Sequence, residues 1–306
     1  MKLSARKVNN FDLFASHAWY VPGVSGMFAI LGLFLLGSLL GSLVQLILMG
    51  ILPAQVVNDY SMIIVYPLSF LPAMLYVASK SQRNSLFEKG YKLNSSNFGK
   101  LGLWGAVGLT VVLGFATMIT ADLPNYWNYT LTMRSSFLSM LYERVSAVLD
   151  QLTGGPIWAS FLVTAIFAPV FEEWMCRGVV LRGLLTKMKP VWAIVISALF
   201  FALIHFNPWQ SLNAFIIGLV MGYVYYKTGS LWLTMVLHFV NNGTAVVLSH
   251  VDSLKDADMW IQMFPLNTYI CIYVVGVIVF TSILLVFSHI PLKAPYGNID
   301  ETEIEI

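Results

Sequence analysis

Runs of about twenty apolar residues, each long enough to cross the hydrocarbon core of a bilayer as a helix, recur along this 306-residue chain. They constrain the fold more than any other feature, because backbone placed in lipid must satisfy its own N–H and C=O groups. Eight runs stand near residues 27–52, 60–79, 101–121, 157–181, 191–206, 211–226, 230–250 and 265–289. The fifth and sixth are short. Pro190, Pro208 and the turn Lys227-Thr-Gly229 separate the fourth to seventh runs into a compact hairpin series. Only 10% of the residues are charged and 58% are hydrophobic, whereas soluble domains carry roughly 25% charged residues. So few charges cannot cover a water-facing globule. The sequence therefore predicts an all-α, polytopic membrane bundle of about eight transmembrane helices, and excludes soluble, disordered, collagen-like and coiled-coil chains.

A net charge of +2 is too mild to suggest a nucleic-acid partner; the bilayer is the partner the sequence implies. Cys176 and Cys271 lie inside apolar runs, so neither a disulfide framework nor a Cys-rich metal site is expected. Residues 1–26 mix Lys2, Arg6, Lys7 and Asp12 with no apolar h-region, so no cleavable leader is expected there.

Lys and Arg near span ends set orientation. With the N-terminus in the cytoplasm, eight spans put thirteen of the 17 Lys and Arg inside, Arg182 among them as the charge closing the fourth span. Only Arg134, Arg144 and Lys255 fall outside, and Arg177 stays within a span. Both termini are thus expected in the cytoplasm, in a multi-pass protein of the cell membrane (or of the endoplasmic reticulum in a eukaryote). In the outer connection 122–156, Phe137, Leu141, Val145, Val148 and Leu152 recur at helical spacing. That stripe predicts an amphipathic helix, lying on the outer leaflet or capping the bundle.

Ionisable groups inside apolar runs are costly in a bilayer and mark candidate function. The fourth run holds Glu172, Glu173 and Arg177; the fifth ends at His205; the seventh holds His238, Asn241 and Asn242. Glu173 and Arg177 are four apart, neighbours on one helix face, and can form a buried ion pair. Glu172 lies about 100° around the helix, less easily neutralised by Arg177 and free to act as a base. His238 and Asn242 are also four apart, an imidazole beside an amide that can donate to a developing oxyanion. The same groups can instead simply hold helices together across the bundle. Crude depths at 1.5 Å rise per residue put Glu172, His205, His238 and Asn242, from three spans, within reach of one another near the middle of the bilayer.

The string Glu172-Glu173-Trp-Met-Cys-Arg177 resembles the EExxxR motif of the CPBP family, the CAAX prenyl proteases and bacteriocin-processing enzymes. Phe201 to His205 is similar to its FxxxH motif, and His238 to Asn242 to its HxxxN motif, in the same order on successive spans. The resemblance covers about 157–245. It implies an intramembrane endopeptidase acting on a peptide or membrane-protein substrate, with a catalytic core at 157–250. Residues 1–156 would supply N-terminal spans and the interfacial helix, and 251–306 the last span and a cytoplasmic tail, all in one membrane domain. Carried over, Glu172 and His205 would activate water, His238 and Asn242 would stabilise the oxyanion, and Glu173 with Arg177 would hold the site's geometry. No cofactor is favoured. Zinc on Glu172, His205 and His238 is the alternative, a His₂Glu set with an open position. Competing readings are a proton-coupled transporter and a non-proteolytic relative acting as a membrane partner or immunity protein. The sequence sets no oligomeric state.

Overall fold

A computed structural model describes residues 22–80, 96–153, 155–252, 254 and 259–292, with side chains of 147–153 left aside. Among the described residues the chain is all helix and turn, without strands. The helices are α1 (Val24–Met49), α2 (Ala54–Tyr60), α3 (Met62–Lys80), α4 (Gly102–Met133), α5 (Ser136–Thr153), α6 (Ile157–Leu185), α7 (Pro190–Leu203), α8 (Pro208–Thr228), α9 (Leu231–Ser249), α10 (Trp260–Met263) and α11 (Leu266–Ser288). All eight apolar runs are helices. Six of them, α1, α3, α4, α6, α9 and α11, are long and apolar enough to cross a membrane on their own.

The other two fall short for different reasons. The 14 residues of α7 rise about 21 Å, less than the hydrocarbon thickness of about 30 Å. Helix α8 is long enough at 21 residues but carries Gln210, Ser211, Asn213 and Lys227. Prolines open both helices, where the missing N–H costs nothing because the first amides of a helix have no internal partner. Asn207 then caps α8 by accepting from the Trp209 amide at 3.1 Å, and Ser230 caps α9 by accepting from the Leu233 amide at 3.3 Å.

Helix α4 runs on to Met133, beyond the span end read near 121. Pro124 within it forfeits one backbone bond without ending the helix. Asp122 gains partners that the sequence does not reveal: its carboxylate accepts from the backbone amides of Trp260 at 2.8 Å and Ile261 at 3.1 Å. The segment that leads from α9 to α11 is therefore folded back onto α4 at Trp260 and Ile261.

The amphipathic segment forms α5, but its stripe is turned outward where it is described: Phe137 is 67% exposed and Leu141 37%. The helix touches the bundle through Tyr142 instead, whose ring meets Trp209 edge-on at 5.3 Å and Tyr129 at 5.6 Å. An outward apolar face suits a helix lying in an interface rather than a cap seated on its stripe. The calls on Val148, Leu152, Lys255 and the charged tail fall outside the described side chains.

Helix α6 runs through the middle of the bundle. Every residue from Glu173 to Leu185 is buried. Arg182, expected as a flanking charge at the end of that span, is instead buried with no accessible surface. Helices α1, α3, α4, α6, α7, α8, α9 and α11 all contribute to one cluster of buried apolar side chains, so the bundle has a single core. Helices α1 and α3 pack backbone to backbone. A Cβ on Gly37 would stand 2.1 Å from the Ser69 carbonyl oxygen, so only glycine fits there. Gly41, one turn on, faces Val65 in the same way, a small-xxx-small contact of the kind that lets membrane helices approach closely.

Candidate active site

Two π-helical stretches, Leu162–Phe167 and Trp174–Leu181, bracket the short α-helical segment Ala168–Glu173 within α6. Such insertions rotate the side chains that follow them and occur most often at functional sites. Here they bracket the two glutamates. The second stretch lies where every residue is buried, so no apolar face there marks it, whereas the first carries the exposed Ile166.

Glu173 and Arg177 form the expected pair, with Nη1 to Oε1 at 2.6 Å and no accessible surface on either side chain. The guanidinium is compensated on three sides. Its Nη2 donates to the Gly218 carbonyl at 3.1 Å, and its plane lies over the Phe201 ring at 4.4 Å, a cation–π contact of the kind that strengthens away from water. A Cβ on Gly218 would lie 3.1 Å from Ala198, so this glycine lets α8 close on α7 and bring its carbonyl to Arg177.

Glu173 also meets His238, whose Nδ1 is 3.1 Å from the same Oε1. A carboxylate only accepts, so Nδ1 carries the proton in this contact. The other ring nitrogen, Nε2, is 3.1 Å from Asn242 Nδ2 and 3.9 Å from Glu172 Oε2. The amide orientation of Asn242 follows from chemistry. Its Nδ2 faces the Thr164 carbonyl at 2.9 Å, where an amide oxygen would oppose another oxygen. Asn241 donates to Asn242 Oδ1 at 2.9 Å, so it supports the amide from one position away.

Glu172 stands apart from this network. Tyr66 of α3 donates its hydroxyl hydrogen to Glu172 Oε1 in a short hydrogen bond. Oε2 is buried without a protein hydrogen-bond partner and faces His238. The side chain as a whole keeps 12% exposure, against none for Glu173. Glu172 is thus the more exposed of the two carboxylates.

His205 follows the last turn of α7, where its Nδ1 lies 2.7 Å from the Phe201 carbonyl. A carbonyl only accepts, so Nδ1 is the donor and Nε2 is left with its lone pair. The next residue, Phe206, has φ of +48°, a left-handed conformation that costs a non-glycine residue about 1–2 kcal/mol. That strained turn ends α7 and sends the chain into the Asn207 cap. The Phe201 ring meets His205 at 4.9 Å and His238 at 5.5 Å, both edge-on, so both imidazoles rest against one aromatic face-and-edge platform.

The structure therefore gathers Glu172, Glu173, Arg177, His238 and Asn242 into one connected cluster, with His205 joined through Phe201. Tyr66, Thr164 and Gly218 belong to the same cluster and lie outside the motifs. Among the described residues, no three His, Cys, Asp or Glu side chains are grouped to hold a metal ion. The Glu172, His205 and His238 set does not fit zinc in this arrangement, and no step below passes through it.

Residues 154–244 match the family model of the Rce1-like type II CAAX prenyl endopeptidases. A Bacillus subtilis (strain 168) protein named "Putative membrane peptidase YdiL" is 23% identical over 154 residues, 50% of this chain and 58% of that protein. The chain thus spans little more than half the length of that relative. No solved structure matches it. The matched segment contains Glu172, Glu173, Arg177, His205, His238 and Asn242, and over that segment this multi-pass membrane protein is similar to the CPBP family of membrane peptidases.

Proposed function

We propose that the chain is an intramembrane endopeptidase that hydrolyses a peptide bond in a membrane-associated or lipidated protein by a metal-free mechanism. One observation carries this reading: Glu172 Oε2, buried and without a protein partner, lies 3.9 Å from His238 Nε2. That gap is too long for a direct hydrogen bond, and one water touching both atoms fills it. Glu172 takes a proton from this water as its oxygen attacks the scissile carbonyl carbon. His205, with Nε2 unprotonated, assists as a second acceptor on the same side. The proton held on Glu172 then passes to the departing amide nitrogen as the C–N bond breaks, leaving a carboxylic acid and an amine, and the acid's proton moves to the amine to give carboxylate and ammonium.

Glu173 supports the other half of the reaction. It holds His238 through Nδ1 and compensates the positive imidazolium formed when Nε2 takes a proton from solvent before the attack, a proton returned to solvent after the products leave. A protonated Nε2 no longer accepts from Asn242, so that amide N–H turns to the oxyanion beside the Nε2–H. Both termini lie on the cytoplasmic side in this reading, as the distribution of Lys and Arg favours.

The test is peptide mass spectrometry on membrane preparations of wild type and Glu172→Ala. Products present only with wild type support the reading; identical product patterns overturn it. On the same products, a chelator leaves release unchanged. Loss on chelation with recovery on added zinc would instead require a metal.

A further inference from the structure

Tyr66 lies on α3, outside the segment that matches the family model and outside every motif read from the sequence. We propose that Tyr66 is a positioning residue for Glu172, fixing which carboxylate oxygen faces the attacking water. The inference rests on the reading of Glu172 as the base.

A carboxylate presents two equivalent oxygens, and rotation about its last bond exchanges them. A base whose two oxygens are both free spends time in unproductive orientations. The Tyr66 hydroxyl removes that freedom by donating to Oε1, a charge-assisted O–H···O⁻ contact, which is roughly twice as strong as a neutral one. Oε2 is then the oxygen that remains, and it is the one beside His238 Nε2. Once Oε2 has taken a proton, the same bond keeps it aimed for delivery to the leaving nitrogen.

The surrounding packing makes this bond a built feature. Phe70, one turn beyond Tyr66, stacks on Phe171 with centroids 5.4 Å apart and planes at 24°. Phe171 directly precedes Glu172. Phe70 also meets the Tyr66 ring at 5.5 Å, so two rings register the Tyr66 turn of α3 against the Glu172 turn of α6. Behind them, Gly37 and Gly41 seat α1 on α3 at Ser69, three residues after Tyr66, and at Val65, directly before it. The N-terminal helices thereby become part of the reaction machinery rather than a membrane anchor alone.

Infrared difference spectroscopy of the full chain in lipid nanodiscs reads the contact directly. The Glu172 carboxylate bands are those lost in Glu172→Gln. In Tyr66→Phe these bands shift, while the ring packing and the thermal unfolding midpoint are retained. Incorporating 3-fluorotyrosine at position 66, which keeps the ring and strengthens the donor, shifts the same bands the opposite way. For a product peptide that depends on Glu172, Tyr66→Phe lowers kcat about 10- to 100-fold with KM unchanged, the scale expected for a misplaced catalytic group. Unshifted bands in Tyr66→Phe, or wild-type kcat, overturn the proposal. A wild-type protein with no Glu172-dependent product sinks the peptidase reading alone, and the bands still decide whether Tyr66 orients Glu172.

Discussion

Glu172 and Glu173 are adjacent in sequence, yet their surroundings divide them. Glu173 compensates a fully buried guanidinium and an imidazole through one oxygen, whereas Glu172 is held by a phenol and is only partly buried. Their neutral isosteres should therefore behave oppositely. Glu173→Gln leaves Arg177 charged and buried without its partner, which costs about 3–5 kcal/mol and lowers the unfolding midpoint measured in detergent. Glu172→Gln abolishes cleavage and leaves that midpoint unchanged. Equal destabilisation by both would contradict the division. The pairs Glu173–Arg177 and His238–Asn242 were legible in the sequence because each spans four residues of one helix, where spacing alone sets proximity. Tyr66–Glu172, Asn242–Thr164 and Arg177–Gly218 join residues 106, 78 and 41 positions apart. No local period encodes such contacts. They exist only once the helices have packed.

Helices α1 and α3 illustrate what a whole element contributes. The GSLLG spacing of Gly37 and Gly41 is a small-xxx-small pattern absent from the sequence-based expectations, and the contact gives it its physical sense. A bulky residue at Gly37 must push α3 away by its backbone, carrying Tyr66 off Glu172. Gly37→Leu is thus expected to lower both thermal stability and cleavage. Gly32→Leu on the same helix meets nothing within 4 Å and leaves both intact. Similar losses at the two sites would show that α1 is sensitive everywhere, not at this seam. The π-helical stretches of α6 were illegible for a related reason. The second lies where α6 is buried on all sides and has no apolar face whose drift would reveal an extra residue per turn, and the first spans only six residues, too few to show such a drift. The end of α4 was misread because Asp122 and Pro124 look like loop residues until the amides of Trp260 and Ile261 supply the missing partners.

For the whole molecule, the helical type and the long helices were legible because hydropathy over twenty residues is a strong signal, whereas the short α2 and α10 fall below that length and were not. Which way the bundle faces is a separate matter. In a Cys271→Ser background, in which Cys176 stays buried, a membrane-impermeant maleimide should label His250→Cys in intact cells. It should reach Lys187→Cys only after permeabilisation. The reverse pattern would invert the bundle and move the site's opening to the other leaflet. The claim beneath the rest is that water is activated by Glu172 inside this buried polar cluster. The direct measurement uses purified wild type and Glu172→Gln in lipid nanodiscs, with a product-forming substrate from the membrane profiling and ¹⁸O-labelled water. The account predicts one ¹⁸O in the new carboxyl terminus with wild type, and a rate at least about 10²-fold lower with Glu172→Gln at unchanged thermal stability. Cleavage by Glu172→Gln at the wild-type rate would contradict it.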